Sequence, residues 1–235
     1  MNGKLIIIST PIGNMEDISA RALKALADVD YILSEDTRET QKLLNYFNIQ
    51  KTQISYRDQN HSRVYNQILE LLKSGLNIAL VSDRGTPLIS DPGYKLVRDL
   101  IDEGIEIDSI PGPSSIIDSL VKSGLPTDKF VFLGFLPKKD TQIIKILEEY
   151  GKLDATLIIF ESPYRLEKLL ELAAKTLGMR DAAVCKELTK LHEQIYRFNL
   201  SDYKSQKIDL RGEFVVLFSK RLKSQEGDTS LKNYE

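Results

Sequence analysis

One cysteine, Cys185, and two histidines, His61 and His192, are all that the 235 residues hold of either type. An intramolecular disulfide and a cysteine-based zinc cluster are thereby excluded, a histidine-rich metal site lacks ligands, and the thiol usage fits a reducing cytosol. Long apolar runs are missing as well. The stretch from Leu5 to Ile8 is far too short for a signal-peptide core, and nothing later approaches the roughly 20 residues that a bilayer span requires. These readings predict a cytoplasmic protein. The formal charge is −2, whereas nucleic-acid binders usually carry a clear basic surplus, so an RNA partner needs another argument. Gly-x-Gly-x-x-Gly does not follow the first strand, and Gly-x-x-x-x-Gly-Lys-Ser/Thr is absent, which counts against NAD and ATP chemistry and against a nucleotide hydrolase.

What is present is an ordinary globular composition, 42% hydrophobic and 28% charged, long enough for one large domain or two small ones. Strand-like runs at 4–9, 31–34, 53–56, 77–81 and 105–110 alternate with helical patterns at 18–27, around Leu43, Leu44 and Phe47, and at 64–73, 94–103 and 116–122. That alternation predicts an α/β domain with a mostly parallel, helix-flanked sheet over residues 1–118. The pattern pauses at Ser123-Gly124-Leu125-Pro126-Thr127, a candidate hinge. A second α/β domain is expected over 119–222, with strands at 130–135, 155–160, 182–186, 194–198 and 213–219 and helices at 141–150 and 166–177. Its last two strands have no long helix between them, so this sheet should be mixed. Residues 223–235 are polar and aperiodic and are expected to form a flexible tail.

Three strand-end loops share a style. Thr10-Pro11-Ile12-Gly13-Asn14, the stretch Asp83-Arg84-Gly85-Thr86-Pro87-Leu88-Ile89-Ser90-Asp91-Pro92-Gly93, and Pro111-Gly112-Pro113-Ser114-Ser115 each combine Pro, Gly and a hydroxyl or amide. One such loop reads as strand punctuation; three on one sheet edge read as a small-molecule rim, since ligands settle beyond the carboxyl ends of parallel strands. Arg84 is the only basic residue within them, so the ligand is expected to be weakly charged or zwitterionic. Glu35-Asp36-Thr37-Arg38 reads equally as a helix cap or as a substrate-orienting cluster. His61, in a polar stretch, reads as a surface residue, and Cys185 as core.

These motifs, together with Gly124-Leu125-Pro126-Thr127-Asp128, Gly134-Phe135-Leu136-Pro137, Glu161-Ser162-Pro163, Lys186-Glu187-Leu188-Thr189-Lys190 and Gly212-Glu213-Phe214, occur in the order seen in the ribosomal RNA small-subunit 2'-O-ribose methyltransferase I family. The chain resembles that family from about position 4 to 219. The resemblance implies the tetrapyrrole methylase fold, two α/β domains with a cofactor cleft between them, usually as a homodimer. It also implies methyl transfer from S-adenosylmethionine to the ribose 2'-hydroxyl of a cytidine in 16S ribosomal RNA, within the assembled 30S particle. By motif position it places cofactor contacts at Pro11, Ile12, Gly13, Asp83, Gly85, Thr86, Pro87, Ile89, Ser114, Ser115, Phe160 and Leu188. Asp36, Asp83 and Lys186 are the candidates for proton acceptor, and no metal is called for.

The chain departs from the family pattern at Arg84, Glu39, Arg57-Asp58-Gln59 and Tyr164, where alanine or histidine is common, so a mechanism leaning on histidine there is weakened. RNA affinity would fall to local patches at Arg38, Arg57, Arg63, Lys138, Lys139, Lys186 and Lys190. The alternatives are a sibling enzyme that methylates a tetrapyrrole-type small molecule and a non-catalytic ribosome-assembly binder.

Overall fold

A computed structural model describes residues 2–220, so the predicted tail at 223–235 lies outside the described residues. Two compact units emerge: residues 2–118 with 188–191, and residues 119–187 with 192–220. Among the described residues no helix is long and apolar enough to cross a membrane.

The first unit is built on β1 (Lys4–Ile8), β2 (Tyr31–Ser34), β3 (Thr52–Ser55), β4 (Ile78–Val81) and β5 (Glu106–Ile110), ordered β3-β2-β4-β1-β5. Every neighbouring pair is parallel. Parallel strands need helical crossovers, which cover both faces of the sheet and make its central strands continuously apolar. Side chains alternate accordingly. Ile6, Ile8, Ile32, Ala79 and Val81 pack on one face against α1 (Ala20–Asp28) and α2 (Thr37–Tyr46). Leu5, Leu33, Ile78 and Leu80 pack on the other against α3 (His61–Lys73) and α4 (Tyr94–Asp102). Ser19 caps α1 by accepting from the Ala22 N–H at 3.1 Å, and Asp36 caps α2 by accepting from the Arg38 N–H at 2.9 Å. Both caps satisfy donors that the first turn leaves open.

This arrangement fixes where a ligand can enter. β1 and β4 are neighbours, yet the chain leaves β1 for α1 on one face and β4 for α4 on the other. Their carboxyl ends therefore part at the sheet's topological switch point, the general ligand crevice of open α/β sheets.

The helix α5 (Ser115–Ser123) carries the chain into the second unit, whose sheet comprises β6 (Phe130–Phe135), β7 (Thr156–Glu161), β8 (Asp181–Lys186), β9 (Gln194–Asn199) and β10 (Phe214–Phe218) in the order β6-β7-β10-β8-β9. β6 and β7 run parallel and the other pairs antiparallel, so the sheet is mixed. β9 and β10 are not partners despite their closeness in sequence; both flank β8, and a short 3-10 helix at Leu200–Ser205 begins the excursion between them. Helices α6 (Asp140–Tyr150) and α7 (Leu166–Leu177) cover the sheet through Ile143, Leu147, Leu166, Leu169 and Leu170. Cys185 is fully buried, as a core residue.

His61 departs from its sequence reading. It is buried, opens α3 three residues earlier than the apolar periodicity predicts, and sits between the Tyr56 hydroxyl, 3.0 Å from its Nδ1, and Asp99, 3.1 Å from its Nε2. Tyr65 stacks on the ring. His61 faces inward because these partners satisfy it, while most of the polar run around it stays exposed, a division that composition alone does not reveal.

Candidate functional site

The loops that leave β1, β4 and β5 are sewn into one rim. Thr10 and Gly85 form an isolated antiparallel bridge, with N–H to O=C distances of 2.8 and 3.1 Å. Beside it the Ser9 hydroxyl donates to Thr86 Oγ1 at 3.1 Å, and the Thr86 hydroxyl donates to the Pro113 carbonyl at 3.2 Å. The Thr10 hydroxyl donates to the Ser82 carbonyl at 3.3 Å. Each loop thus satisfies polar groups of the next, and the rim is preorganised without a ligand.

Glycine is required at two places on it. Gly85 has φ +77°, a left-handed conformation costly for other residues, and a Cβ there would stand 3.2 Å from Ile12 Cγ2. At Gly13 a Cβ would come within 2.9 Å of the Leu188 carbonyl oxygen and closer still to Thr189 and Lys190. Residues 188–191 have returned to the first unit, and the Asn14 N–H donates to Thr189 Oγ1 at 3.1 Å. Leu88 and Ser90 carry φ of +72° and +65°, strain that non-glycine residues rarely bear, and between them Ile89 is held 45% exposed.

Carboxylates gather at the same edge because β2 lies beside β4. The backbone N–H of Asp36 donates to Asp83 Oδ1 at 3.0 Å. Asp83 is pushed above the usual carboxylate range, first by loss of water and then by neighbours that include Asp36 and Glu39. Glu35 is raised by burial and then by Asp83 and Asp91, and Asp91 chiefly by burial. Asp36 goes the other way: the Arg38 side chain and backbone N–H hold its carboxyl far below the ordinary range. A cavity of about 170 Å³ opens here, lined by Thr10, Pro11, Gly13, Glu39, Asp83 and Lys190 among others.

The residues predicted for a cofactor divide as follows. Pro11, Ile12, Gly13, Asp83, Gly85, Thr86, Pro87, Ile89, Ser114 and Leu188 all belong to the first unit, and so does Ser115, which opens α5. Pro11, Ile12, Pro87 and Leu188 are buried, and the carbonyl of Ser114 accepts the first turn's bond from Asp118 N–H at 2.9 Å. Phe160 belongs to the second unit, edge-to-face with Phe132 and Phe135. Of the three candidate proton acceptors, Asp36 and Asp83 are joined by the hydrogen bond above. Lys186 is in the second unit, buried, with its Nζ 2.5 Å from Asp209 Oδ2. Buried and paired, Lys186 is not available as a surface contact for RNA. Glu35, Asp91 and Ser9 complete the rim without having been named as individual cofactor contacts or proton acceptors. Their signal was position, each being next to or in the same loop as a chosen residue.

Comparison with known proteins places the chain in a family. The family model of tetrapyrrole (corrin/porphyrin) methylases matches residues 4–204. Solved structures share the fold at low identity: the methyltransferase CobJ, with a TM-score of 0.70 and 18% identity over 93% of this chain and 94% of that one, and diphthine synthase, with a TM-score of 0.70 and 14% identity over 92% and 89%. The uroporphyrin-III C-methyltransferase of Thermus thermophilus complexed with S-adenosylhomocysteine aligns with a TM-score of 0.64 and 16% identity over 92% of this chain and 97% of that one.

Curated relatives are nearer in sequence. Ribosomal RNA small subunit methyltransferase I of Thermotoga maritima is 44% identical over 92% of this chain and 98% of its own length, and that of Halalkalibacterium halodurans is 43% identical over 92% and 75%. The chain belongs to the tetrapyrrole methylases and, within them, to the ribosomal RNA small subunit methyltransferase I family.

Proposed function

We propose that the protein is an S-adenosylmethionine-dependent methyltransferase acting on the ribose 2'-hydroxyl of a cytidine in small-subunit ribosomal RNA, within the assembled subunit, as a cytoplasmic homodimer. The observation that carries the reading is the closed Thr10–Gly85 bridge at the β1/β4 switch point, set beside carboxylates of raised pKa. The residues fit such a cofactor. Gly85 leaves open the space a Cβ would fill 3.2 Å from Ile12 Cγ2, so the two loops approach closely and present an apolar wall beside which a flat heterocycle can lie. Glu35, Asp83 and Asp91, which disfavour one another's ionisation, suit a ligand bearing a sulfonium and an ammonium.

When bound, S-adenosylmethionine supplies an electrophilic methyl on sulfur. The chain's task is alignment, which is worth much of the acceleration in a displacement of this kind. The rim is rigid through its inter-loop hydrogen bonds and holds the donor still. Asp83 is the residue suited to take the ribose hydroxyl proton. Its carboxyl is raised toward the working range, whereas that of Asp36 is tied to Arg38 and the Lys186 ammonium to Asp209.

Titration calorimetry tests the reading. S-adenosylmethionine and S-adenosylhomocysteine should each bind with measurable heat. No heat with either, on folded protein, overturns it.

A further inference from the structure

The parallel pair β6–β7 of the second unit ends in two loops that the proposed chemistry does not use. Between Phe132 and Phe135 the pairing of β6 with β7 slips register, and Gly134 at the slip has φ +63°. Such a bulge re-aims the side chain that follows it. Phe135 is turned outward and left 60% exposed, touching Phe160 edge-to-face with ring centres 5.5 Å apart. The chain then runs through Leu136 and Pro137 to Lys138 and Lys139, both exposed.

The neighbouring loop, after β7, carries Tyr164, which is 96% exposed. Arg165 ties the two loops together by donating from Nη2 to the carbonyls of Leu136 and Pro137 at 2.9 and 2.8 Å. Two acidic groups beside these loops already face cations. Glu161 is buried against Arg165, and Asp140 lies 3.1 Å from the Lys168 ammonium. Lys138 and Lys139 have no ion-pair partner among the described residues.

We infer that the β6–β7 rim is a platform for single-stranded RNA, with Phe135 and Tyr164 offering faces for unstacked bases and Lys138 and Lys139 meeting the phosphates. The inference rests on the reading of the protein as an RNA methyltransferase, and deepens it by naming where the strand lies. Exposed aromatics interleaved with unpaired lysines on a stiff support are the physical requirement for binding a strand without reading its sequence. A duplex has no free base faces to offer. An apolar protein partner would leave two lysines buried without counter-charges.

Fluorescence anisotropy of the full chain with a labelled single-stranded oligoribonucleotide of about 12 nucleotides tests this. Phe135→Ala and Tyr164→Ala should each weaken binding about fivefold to a hundredfold. Phe135→Leu, which keeps an apolar contact with Phe160 but lacks the aromatic face, should behave like Phe135→Ala. Replacing Lys138 and Lys139 by Gln should flatten the dependence of log affinity on log salt by about 0.7 per lysine. Heat of S-adenosylhomocysteine binding should match the wild type, which excludes unfolding as the cause.

Unchanged affinity in these variants overturns the inference, and so does a wild-type protein that does not bind the oligonucleotide. Loss of binding to the assembled subunit with the oligonucleotide unaffected identifies a protein contact and overturns it too. A changed sedimentation coefficient of the free variants identifies an interface between copies, with the same consequence. If wild-type protein methylates ribosomal RNA while the variants bind RNA normally, this platform falls and the enzymatic reading stands. If the variants lose RNA affinity but wild type transfers no methyl to RNA, the reverse holds.

Discussion

Asp83→Asn should lower kcat for methyl transfer by about 10²–10⁴-fold, the usual share of a positioned general base. The asparagine keeps the shape and an oxygen that accepts from the Asp36 N–H, so the loop should stay in place. Only the proton acceptor is lost. Because burial raises the Asp83 carboxyl, wild-type activity should fall as pH drops through that raised pKa, and the variant should lack this limb of the profile.

The same substitution should raise the melting temperature of the free protein. Glu35, Asp83 and Asp91 all have folded-state pKa values above their ordinary 4.5 or 3.8. The stability they contribute is therefore full only below those ordinary values, and is lost as pH rises through the raised ones. Where these groups are ionised they oppose the fold locally, and removing one relieves it. A variant that is slower and more stable would mark the cluster as functional, since strain retained at a site is a recurrent cost of activity. Equal kcat would assign the proton elsewhere.

Gly13→Ala should weaken binding of S-adenosylmethionine by about tenfold to a hundredfold, from the cost of overpacking converted to affinity. Its Cβ would sit 2.9 Å from the Leu188 carbonyl oxygen. A flexible side chain could swing away from it, but a backbone oxygen moves only with its segment. Either residues 188–191 or the 10–14 loop must therefore shift, and the latter carries the Thr10 bridge to Gly85. Calorimetry reads the affinity directly. Unaltered affinity would mean that the 10–14 loop takes no part in holding the cofactor.

Much of the first unit is legible in the sequence because parallel strands buried on both faces are unbroken apolar runs. Ile32 with Leu33 and the strand Ile78–Val81 are of this kind, and Pro or Gly follows β1, β4 and β5 at Pro11, Gly85 and Pro111. The rim loops are legible for the same reason. What binds them to one another is not. The Thr10–Gly85 bridge and the Ser9–Thr86–Pro113 chain of hydroxyls follow from the strand order, and strand order is a long-range property. Glu35 joins Asp83 only because β2 lies next to β4, whereas Asp91 shares the loop of Asp83.

Residues 188–191 show the limit most plainly. Four residues inside the second half of the chain return to the first unit, flanked by the left-handed backbone of Glu187 and contained Thr189 at φ +51° and +62°. No periodicity announces them. Lys186 carries a related lesson: a lysine in a charged run reads as solvated, yet β8 places it inward, where Asp209 and its neighbour Arg211 close the ion pair. His61 was hidden by its polar company in the same way.

Methyl transfer to a ribose in small-subunit ribosomal RNA is the activity proposed for this rim. Incubating the protein and methyl-labelled S-adenosylmethionine with 30S subunits lacking the modification, then digesting the RNA to nucleosides, tests it most directly. Label in 2'-O-methylcytidine is the predicted result. Label on a base, on protein or on an added tetrapyrrole but not on ribose would contradict the account.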